Sequence, residues 1–324
     1  MIRGHPSAGR PRKPDSSRWI IDPARGGAQG RSASDSPMEA VFNCGAYRLD
    51  LGRPQVMGVL NLTHDSFSDG GELLVAAGID SEALLQRAET MVMAGASLLD
   101  LGAESTRPGA EPVSEEEEVD RIGEALRLLR PRFDVALSVD SSSPAVFATA
   151  AREGADMLND VRALRAEGAL AAARDTGLPV CLMHMQGQPG TMQDDPRYDD
   201  VITEVRSFLA ERVAACVAAG LPRERLLIDP GFGFGKRLEH NLALLAGLEQ
   251  LTELRLPVLV GMSRKRMLGE VTGRPAKERV AAGVAAAVLA AERGAWIVRT
   301  HDVAATVDAL ALLESMRSLG RHVR

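Results

Sequence analysis

Polar and ionisable residues recur in this sequence directly after short runs of Val, Leu and Ile. In chain order they are Asn61, Asp100, Glu104, Asp140, Asn159, Asp160, His184, Asp229, Ser263, Arg264, Lys265, Arg299 and His301. Carboxylates and amides can hydrogen-bond the N–H and C=O groups of a flat heterocycle, whereas Arg and Lys suit a phosphate or a carboxylate. The set therefore favours a substrate with a nitrogen heterocycle at one end and a phosphate at the other.

The elements that must position these residues follow from the apolar pattern. Eight apolar runs occur, at 55–61, 97–101, 135–139, 156–159, 179–183, 226–229, 257–261 and 296–299. Stretches of helical period lie between them, at 81–94, 119–129, 201–219, 241–251, 277–291 and 303–316. Alternating strands and helices indicate a parallel sheet with helical crossovers, and eight such units predict a closed (β/α)8 TIM barrel. An open doubly wound sheet is the alternative.

In a closed barrel of this kind, the carboxyl ends of all the strands meet at one rim, which is where such folds carry out chemistry. The polar residues listed above would all lie on that rim. Burying polar groups is costly unless they are paired, so their recurrence at every strand end favours a functional role for the set.

Composition limits the class of protein. The chain has 324 residues, 45% of them hydrophobic and 25% charged, and a net charge of −6, which implies no general nucleic-acid-binding surface. Its longest apolar run, 281–291, is too short to cross a bilayer. Three cysteines without metal-like spacing favour a reducing compartment, so we expect a cytoplasmic location.

The domain organisation is uneven. Residues 1–37 hold seven basic residues against three aspartates, are rich in Gly, Pro and Ser, and lack hydrophobic periodicity. They are predicted to be a disordered basic extension, and 38–324 a single barrel domain.

Three loops have compositions of interest. Residues 63–71 and 105–110 are polar, contain glycine, and are long for strand-to-helix connections, as active-site loops often are. The glycine-rich segment 231–236 ends in Lys236, but Arg237 stands where a phosphate-binding P-loop needs Ser or Thr. Its glycines are instead expected to allow a sharp turn.

Several of these segments together resemble one known family. The segments are MGVLNLTHDSFSDGG (57–71), DLGAESTRPG (100–109), SVD (138–140), ND (159–160), LMHMQG (182–187), DPGFGFGK (229–236), GMSRK (261–265) and RTHDV (299–303). They are similar to the motifs of the dihydropteroate synthases of folate biosynthesis, which sulfonamides inhibit. The resemblance runs in unbroken order over roughly residues 45–317.

The resemblance implies a fold, a reaction and a set of roles. The reaction condenses 6-hydroxymethyl-7,8-dihydropterin diphosphate with 4-aminobenzoate, uses Mg²⁺, and gives 7,8-dihydropteroate and diphosphate. Asp140, Asn159, Asp229 and Lys265 would hold the pterin, and Asp140, Asp229 and Lys265 would be catalytic. Asn61 would lie by the metal. The remaining substrate contacts implied are Thr106, Arg107, Met183, Phe234, Ser263, Arg266, Arg299 and His301, with Phe67 beside Phe234 on the benzoate ring. The family also implies a homodimer.

Three positions depart from the family pattern. His64 replaces a loop proline, Ser143 stands where a lysine is common, and Arg266 follows Lys265 where serine is frequent. Two other functions therefore stay open at this point. One is a pterin-dependent methyltransferase of the related methyltetrahydrofolate-binding barrels, and the other is a non-catalytic homologue that binds pterin.

Overall fold

The computed structural model describes residues 41–63, 73–75, 78–104, 113–188 and 190–322. The predicted extension at 1–37 lies outside the described residues, as do His64, Phe67, Thr106 and Arg107.

The centre of the molecule is a closed barrel of eight parallel strands. The strands of the described residues are β1 (Val41–Cys44), β2 (Tyr47–Asp50), β3 (Gln55–Asn61), β4 (Leu74–Val75), β5 (Gly78–Ile79), β6 (Leu98–Gly102), β7 (Ala136–Asp140), β8 (Met157–Asp160), β9 (Val180–Met183), β10 (Leu226–Asp229), β11 (Val258–Gly261) and β12 (Ala295–Thr300). The barrel runs β3-β6-β7-β8-β9-β10-β11-β12, and β12 closes onto β3. The predicted (β/α)8 barrel and all eight of its strands are confirmed.

Helices connect the strands around the outside of the barrel. They are α1 (Ser81–Met93), α2 (Glu115–Leu129), α3 (Pro144–Arg152), α4 (Ala169–Thr176), α5 (Val201–Ala218), α6 (Leu238–Ala246), α7 (Arg266–Thr272), α8 (Val280–Glu292) and α9 (Val303–His322). The predicted helix over 241–251 is wrong in its bounds, because α6 ends at Ala246 and a separate 3-10 segment, Leu248–Leu254, follows. Gly247 separates them, and a Cβ there would come within 2.4 Å of Ile202.

A two-stranded hairpin, β1 and β2, closes the amino-terminal end of the barrel. Its Phe42, Cys44, Leu49 and Leu51 pack against one layer of inward-facing side chains. That layer contains Met57, Leu98, Ala136, Met157, Cys181, Leu227, Leu259 and Ile297, one from each barrel strand. The barrel is therefore a packed core at this end.

The next inward layer has a different chemistry. Side chains alternate between the two faces of a strand, so the residue two positions further along each strand also points into the barrel. Those residues are Val59, Asp100, Ser138, Asn159, Met183, Asp229, Gly261 and Arg299. In this layer, which is nearer the carboxyl ends of the strands, the barrel interior changes from apolar to predominantly polar. No helix in the described part of the chain is long and apolar enough to span a membrane.

Candidate active site

A chain of charged groups crosses the barrel mouth. Arg299 on β12 donates from Nε to Oδ2 of Asp100 at 2.6 Å and from Nη2 to Oδ2 of Asp140 at 2.9 Å. Asn159 on β8 donates to the same Asp100 oxygen at 3.4 Å. Burial raises the pKa of Asp140 to about 7, and the negative charge of Asp100 adds to this against the opposing effect of Arg299. One guanidinium thus holds two carboxylates in place and neutralises only part of their charge.

Two buried polar atoms in this layer have no hydrogen-bond partner within the part of the chain that the structure describes. They are Oδ1 of Asp100 and Oγ of Ser138. Asp100 and Ser138 are directly paired in the register of β6 and β7, so both lie on the same face. An unsatisfied buried polar group costs about 1–3 kcal/mol. Such atoms therefore mark a place where a ligand or ordered water can supply the missing contacts.

A second pair of opposite charges lies beside this chain. Asp229 ends β10, and its Oδ1 accepts from the backbone N–H of Gly231 at 2.7 Å. Lys265 donates from Nζ to the carbonyl of Phe232 at 2.6 Å and lies 4.6 Å from the ring centroid of Phe234. Burial lowers the pKa of Lys265 to about 8, while Asp229 opposes the shift. Burial raises the pKa of Asp229, and Lys265 is the strongest opposing influence.

The turns after β11 and β12 are tied together. Arg264 adopts a left-handed backbone conformation with φ of +59°, which costs a non-glycine residue roughly 1–2 kcal/mol. Its side chain pairs with Asp302, Nη2 to Oδ1 at 2.6 Å. Ser263 accepts from the backbone N–H of His301 at 3.2 Å, and its hydroxyl lies 3.1 Å from Nδ1 of that ring. These contacts hold Ser263 and His301 beside each other at the rim.

Asn61 ends β3, where its amide oxygen is a possible ligand for a hard cation. Its backbone pairs with Gly102, which in turn pairs with Asp140. Among the described residues no group of three His, Cys, Asp or Glu side chains is placed to hold a metal ion. Magnesium commonly binds through one or two protein oxygens together with substrate phosphates and water. The Asn61 amide oxygen would therefore fit a magnesium ion whose other ligands came from a substrate and water.

Other predicted site residues lie at varying distances from this centre. Met183 ends β9 and belongs to a small apolar cluster against which Phe234 packs. Arg266, on the first turn of α7, is exposed and pairs with Glu270 on the same helix. The predicted contacts of Thr106 and Arg107 lie outside the described residues.

Not every polar residue at a strand end is available to a ligand. Asp160 accepts from the backbone N–H of Arg162 at 2.8 Å and from that of Leu164 at 2.7 Å, and it also accepts from the hydroxyl of Ser142. Both of its oxygens are used within the fold, so Asp160 is a structural residue.

Several residues that shape the site have no role predicted from the sequence. Asp302 fixes the strained Arg264 turn. Asn241 accepts from the N–H of Gly233 at 2.7 Å and donates to the carbonyl of Arg237 at 2.7 Å. Lys236 is the last residue of the 231–236 loop, and its side chain is buried beneath that loop. The sequence context of Lys236 could have indicated a role, because it is the one charged residue of a glycine- and phenylalanine-rich segment that directly follows a strand.

Comparison with known proteins gives consistent matches. A family model described as pterin binding enzyme matches residues 57–301. The dihydropteroate synthase of Escherichia coli strain K12 is 49% identical over 278 residues, covering 85% of this chain and 96% of the relative.

Solved structures agree with these matches. The Yersinia pestis dihydropteroate synthase in complex with a sulfonamide drug superposes with a TM-score of 0.82 at 52% identity, over 86% of this chain and 99% of that one. The Xanthomonas albilineans dihydropteroate synthase in complex with 7,8-dihydropteroate gives a TM-score of 0.75 at 44% identity, over 86% and 99%.

Proposed function

Because this chain belongs to the dihydropteroate synthase family, we propose that its barrel mouth joins 6-hydroxymethyl-7,8-dihydropterin diphosphate to 4-aminobenzoate. The reaction is the transfer of a pterin-methyl group in folate biosynthesis. The bond between the methylene carbon and the diphosphate oxygen breaks, and its electron pair leaves with diphosphate. The amine nitrogen of 4-aminobenzoate bonds to that carbon and gives up one proton, which yields 7,8-dihydropteroate.

The buried carboxylates and amide are assigned to the pterin. A pterin ring presents N–H donors and a carbonyl acceptor, which match Asp140, Asn159, Asp229 and the amino group of Lys265. Asp229 is fixed by the N–H of Gly231, and Lys265 by the carbonyl of Phe232. Both side chains are therefore held in position before a substrate enters, so little reorganisation is needed during the reaction.

Charge stabilisation is the catalytic contribution that we assign to Asp140 and Asp229. As diphosphate departs, positive charge develops on the pterin methylene, and carboxylates held in fixed positions stabilise it. Asp140 is suited to this because Arg299 orients it from one side only. Because substitution occurs at a carbon with a good leaving group, no side-chain nucleophile is required.

The diphosphate end is assigned to Asn61, Thr106, Arg107, Arg299 and His301. Cationic and hydrogen-bonding groups stabilise the negative charge of the leaving group. When bound, Mg²⁺ would be held by Asn61 and the diphosphate and would neutralise charge on the departing oxygens. Ser263 supports this side by holding His301.

The aminobenzoate is assigned to the rim. Phe234 offers an aromatic face beside Met183. Arg266, at the start of α7, is placed to pair with the benzoate carboxylate if it exchanges its present partner, Glu270. Phe67 is expected to lie on the same ring.

The observation that carries this proposal is the Asp100–Arg299–Asp140 chain across the mouth of a barrel. The test is steady-state turnover with the pterin diphosphate, 4-aminobenzoate and Mg²⁺, detecting diphosphate and dihydropteroate together. Formation of both in equal amounts supports the synthase. Pterin binding without turnover would instead favour the non-catalytic homologue.

The relatives named above are all synthases, and none of these comparisons favours the methyltransferase. The homodimer and the cytoplasmic location stay predictions from the sequence.

A further inference from the structure

A buried lysine lies beneath the glycine-rich loop that follows β10. Lys236 is 3% exposed, and its Nζ lies 2.9 Å from each of the carbonyl oxygens of Gly231 and Phe234. The same nitrogen lies 2.9 Å from Nδ1 of His184 and 3.4 Å from the carbonyl oxygen of that residue. This amino group therefore joins two points of the 231–236 loop to the end of β9.

The partner ring is buried and neutral. Burial, together with the charge of nearby Lys236, lowers the pKa of His184 to about 2. Burial also lowers the pKa of Lys236, against the opposing charge of Asp229. The contact with Nδ1 can form in both charge states of the amine, because an ammonium donates a hydrogen bond to Nδ1 whereas a neutral amine accepts one from Nδ1–H.

The loop lies directly on the end of β9. Gly231 has φ of +67°, and a Cβ there would lie 1.9 Å from the carbonyl oxygen of His184. Gly235 has φ of +59°, and a Cβ there would lie 2.4 Å from the carbonyl oxygen of Gln186. Glycine is required at both positions for this close approach. The side chain of Lys236 thus lies between two closely packed backbone segments, the 231–236 loop and the chain that follows β9.

The opposite side of the same loop holds Lys265. The carbonyl of Phe232 accepts from its Nζ, and the ring of Phe234 lies under that amino group. The loop carbonyls at 231 and 234 are bound by Lys236, and the carbonyl at 232, between them, is bound by Lys265. Two lysines therefore hold one short segment from its two sides, the first in the interior and the second in the candidate site.

We propose that Lys236 is a positioning residue, which fixes the 231–236 loop so that Phe232 and Phe234 hold the amino group of Lys265 opposite Asp229. This inference rests on the proposed function and deepens it, since it assigns the rigidity of the pterin end of the site to a residue that does not touch the substrate. Loss of the Lys236 amino group removes the donor of the Phe234 carbonyl and the contacts to Nδ1 and the carbonyl of His184, whereas the Gly231 carbonyl still accepts from the N–H of Phe234. The loop is therefore expected to shift toward solvent.

The test compares Lys236→Met with the matched control Lys277→Met, which removes an exposed lysine from a 3-10 segment. Lys236→Met is expected to raise KM for the pterin diphosphate about tenfold, with a smaller change in kcat, because small displacements of binding groups are costly. Lys277→Met is expected to match the wild type.

A pH profile separates positioning from a general loss of stability. Lys265 is surrounded by Asp229, Asp140, Arg299 and, across the loop, Lys236, and its pKa of about 8 is set first by burial. Because Lys236→Met also removes a positive charge near Lys265, the decisive profile is that of His184→Leu, which loosens the loop and keeps this charge. When the loop loosens, water reaches Lys265 and its pKa rises, so the alkaline limb of kcat/KM moves upward by about half a pH unit or more. A variant that was merely less stable would keep the wild-type limb. An unchanged limb together with an unchanged KM would overturn the proposal.

Two further measurements keep the proposal testable if Lys236→Met folds poorly or if turnover is absent. His184→Leu removes one partner of Lys236 and is expected to raise KM and to move the alkaline limb of kcat/KM upward, as in Lys236→Met. His184→Asn keeps a hydrogen-bonding atom close to the position of the lost Nδ1 and is expected to fall between His184→Leu and the wild type. Calorimetric binding of 6-hydroxymethylpterin needs no turnover and should weaken about tenfold in Lys236→Met. Failure of the wild type to turn over would contradict the proposed function alone, whereas equal pterin binding by the wild type and by both Lys236→Met and His184→Leu would contradict this inference.

Discussion

Two clusters that pair a buried aspartate with a half-buried arginine lie at opposite ends of the barrel, and their hydrogen bonding differs. At the amino-terminal end, Asp156 accepts from Arg130 at 2.7 Å and from the backbone N–H groups of Ala46 at 3.1 Å and Leu137 at 2.9 Å. Arg130 in turn donates to the hydroxyl of Tyr47 and to the carbonyl of Val135. Both oxygens of this carboxylate are used.

At the carboxyl-terminal end, Arg299 is divided between Asp100 and Asp140, and Oδ1 of Asp100 has no partner in the described part of the chain. The first cluster fastens the β1–β2 hairpin onto the barrel and satisfies its own polar groups. Within the described residues, the second cluster leaves one carboxylate oxygen without a donor and the charge of two carboxylates only partly neutralised by one guanidinium. Satisfied buried networks stabilise a fold, whereas incompletely satisfied ones are found where a ligand completes them.

The largest effect is expected at the carboxyl-terminal cluster. Asp140→Asn keeps the size and most hydrogen bonding of the side chain but removes its charge. It should lower kcat about 10²–10³-fold, because a fixed charge that stabilises the transition state is lost. Affinity for inorganic diphosphate, measured by calorimetry, should change much less. Equal turnover by Asp140→Asn and the wild type would remove the electrostatic role assigned to Asp140.

At the amino-terminal cluster the expected effect is on stability. Arg130→Met leaves Asp156 buried without its cation, which should lower the free energy of unfolding by about 3–5 kcal/mol. Urea unfolding measures this, and kcat of the folded fraction should stay near the wild-type value. The control is Arg152→Met, where an exposed arginine next to Glu153 is lost and about 0.5 kcal/mol or less is expected. A large loss of kcat in folded Arg130→Met would show that the amino-terminal cluster also affects catalysis and is not purely structural.

The pH dependence of activity should come from the carboxyl-terminal cluster. Asp140 must be ionised to stabilise positive charge, so kcat/KM should fall as the pH drops below its pKa of about 7. Lys265 must be protonated to pair with the pterin and Asp229, so kcat/KM should fall as the pH rises above its pKa of about 8. The profile is then a narrow bell. Lys265→Arg should extend the alkaline limb of kcat/KM to higher pH. If the limb stays near pH 8 in this variant, another group is responsible for it.

The smallest effect is expected at one of the three departures from the family pattern. Ser143 accepts from the N–H of Val146 at 3.3 Å, which caps the start of α3, and it donates to Glu115 at 2.7 Å. Ser143→Ala should cost about 1 kcal/mol of stability, measured by urea unfolding, and leave turnover unchanged. A clear change in KM would show that this position acts on the site.

The sequence predicted the barrel because its strands are buried on both faces and so appear as continuous apolar runs. It missed α3, α4 and α7, which are short and whose apolar faces span two turns or fewer. Periodicity is weak evidence over such lengths. The β1–β2 hairpin was missed too, since its strands have four residues each.

For the candidate site, the polar residues at strand ends were predictable, but their pairing was not. The inward-facing position of Asp100 follows from alternation along β6, yet its ion pair joins it to a residue 199 positions away. Asp156 similarly begins a predicted strand, although its role depends on Arg130 and on a hairpin that the sequence did not reveal. Long-range partners of this kind are set by barrel closure rather than by local pattern.

Urea unfolding of Asp140→Asn at about pH 8 separates a functional from a structural role of the carboxyl-terminal cluster. Because the pKa of Asp140 is raised in the folded state, its ionised form at this pH costs stability that a neutral side chain does not. We expect Asp140→Asn to be at least as stable as the wild type, even though it is nearly inactive. A loss of several kcal/mol, comparable with that of Arg130→Met, would show that the carboxyl-terminal cluster holds the fold in the same way as the amino-terminal one.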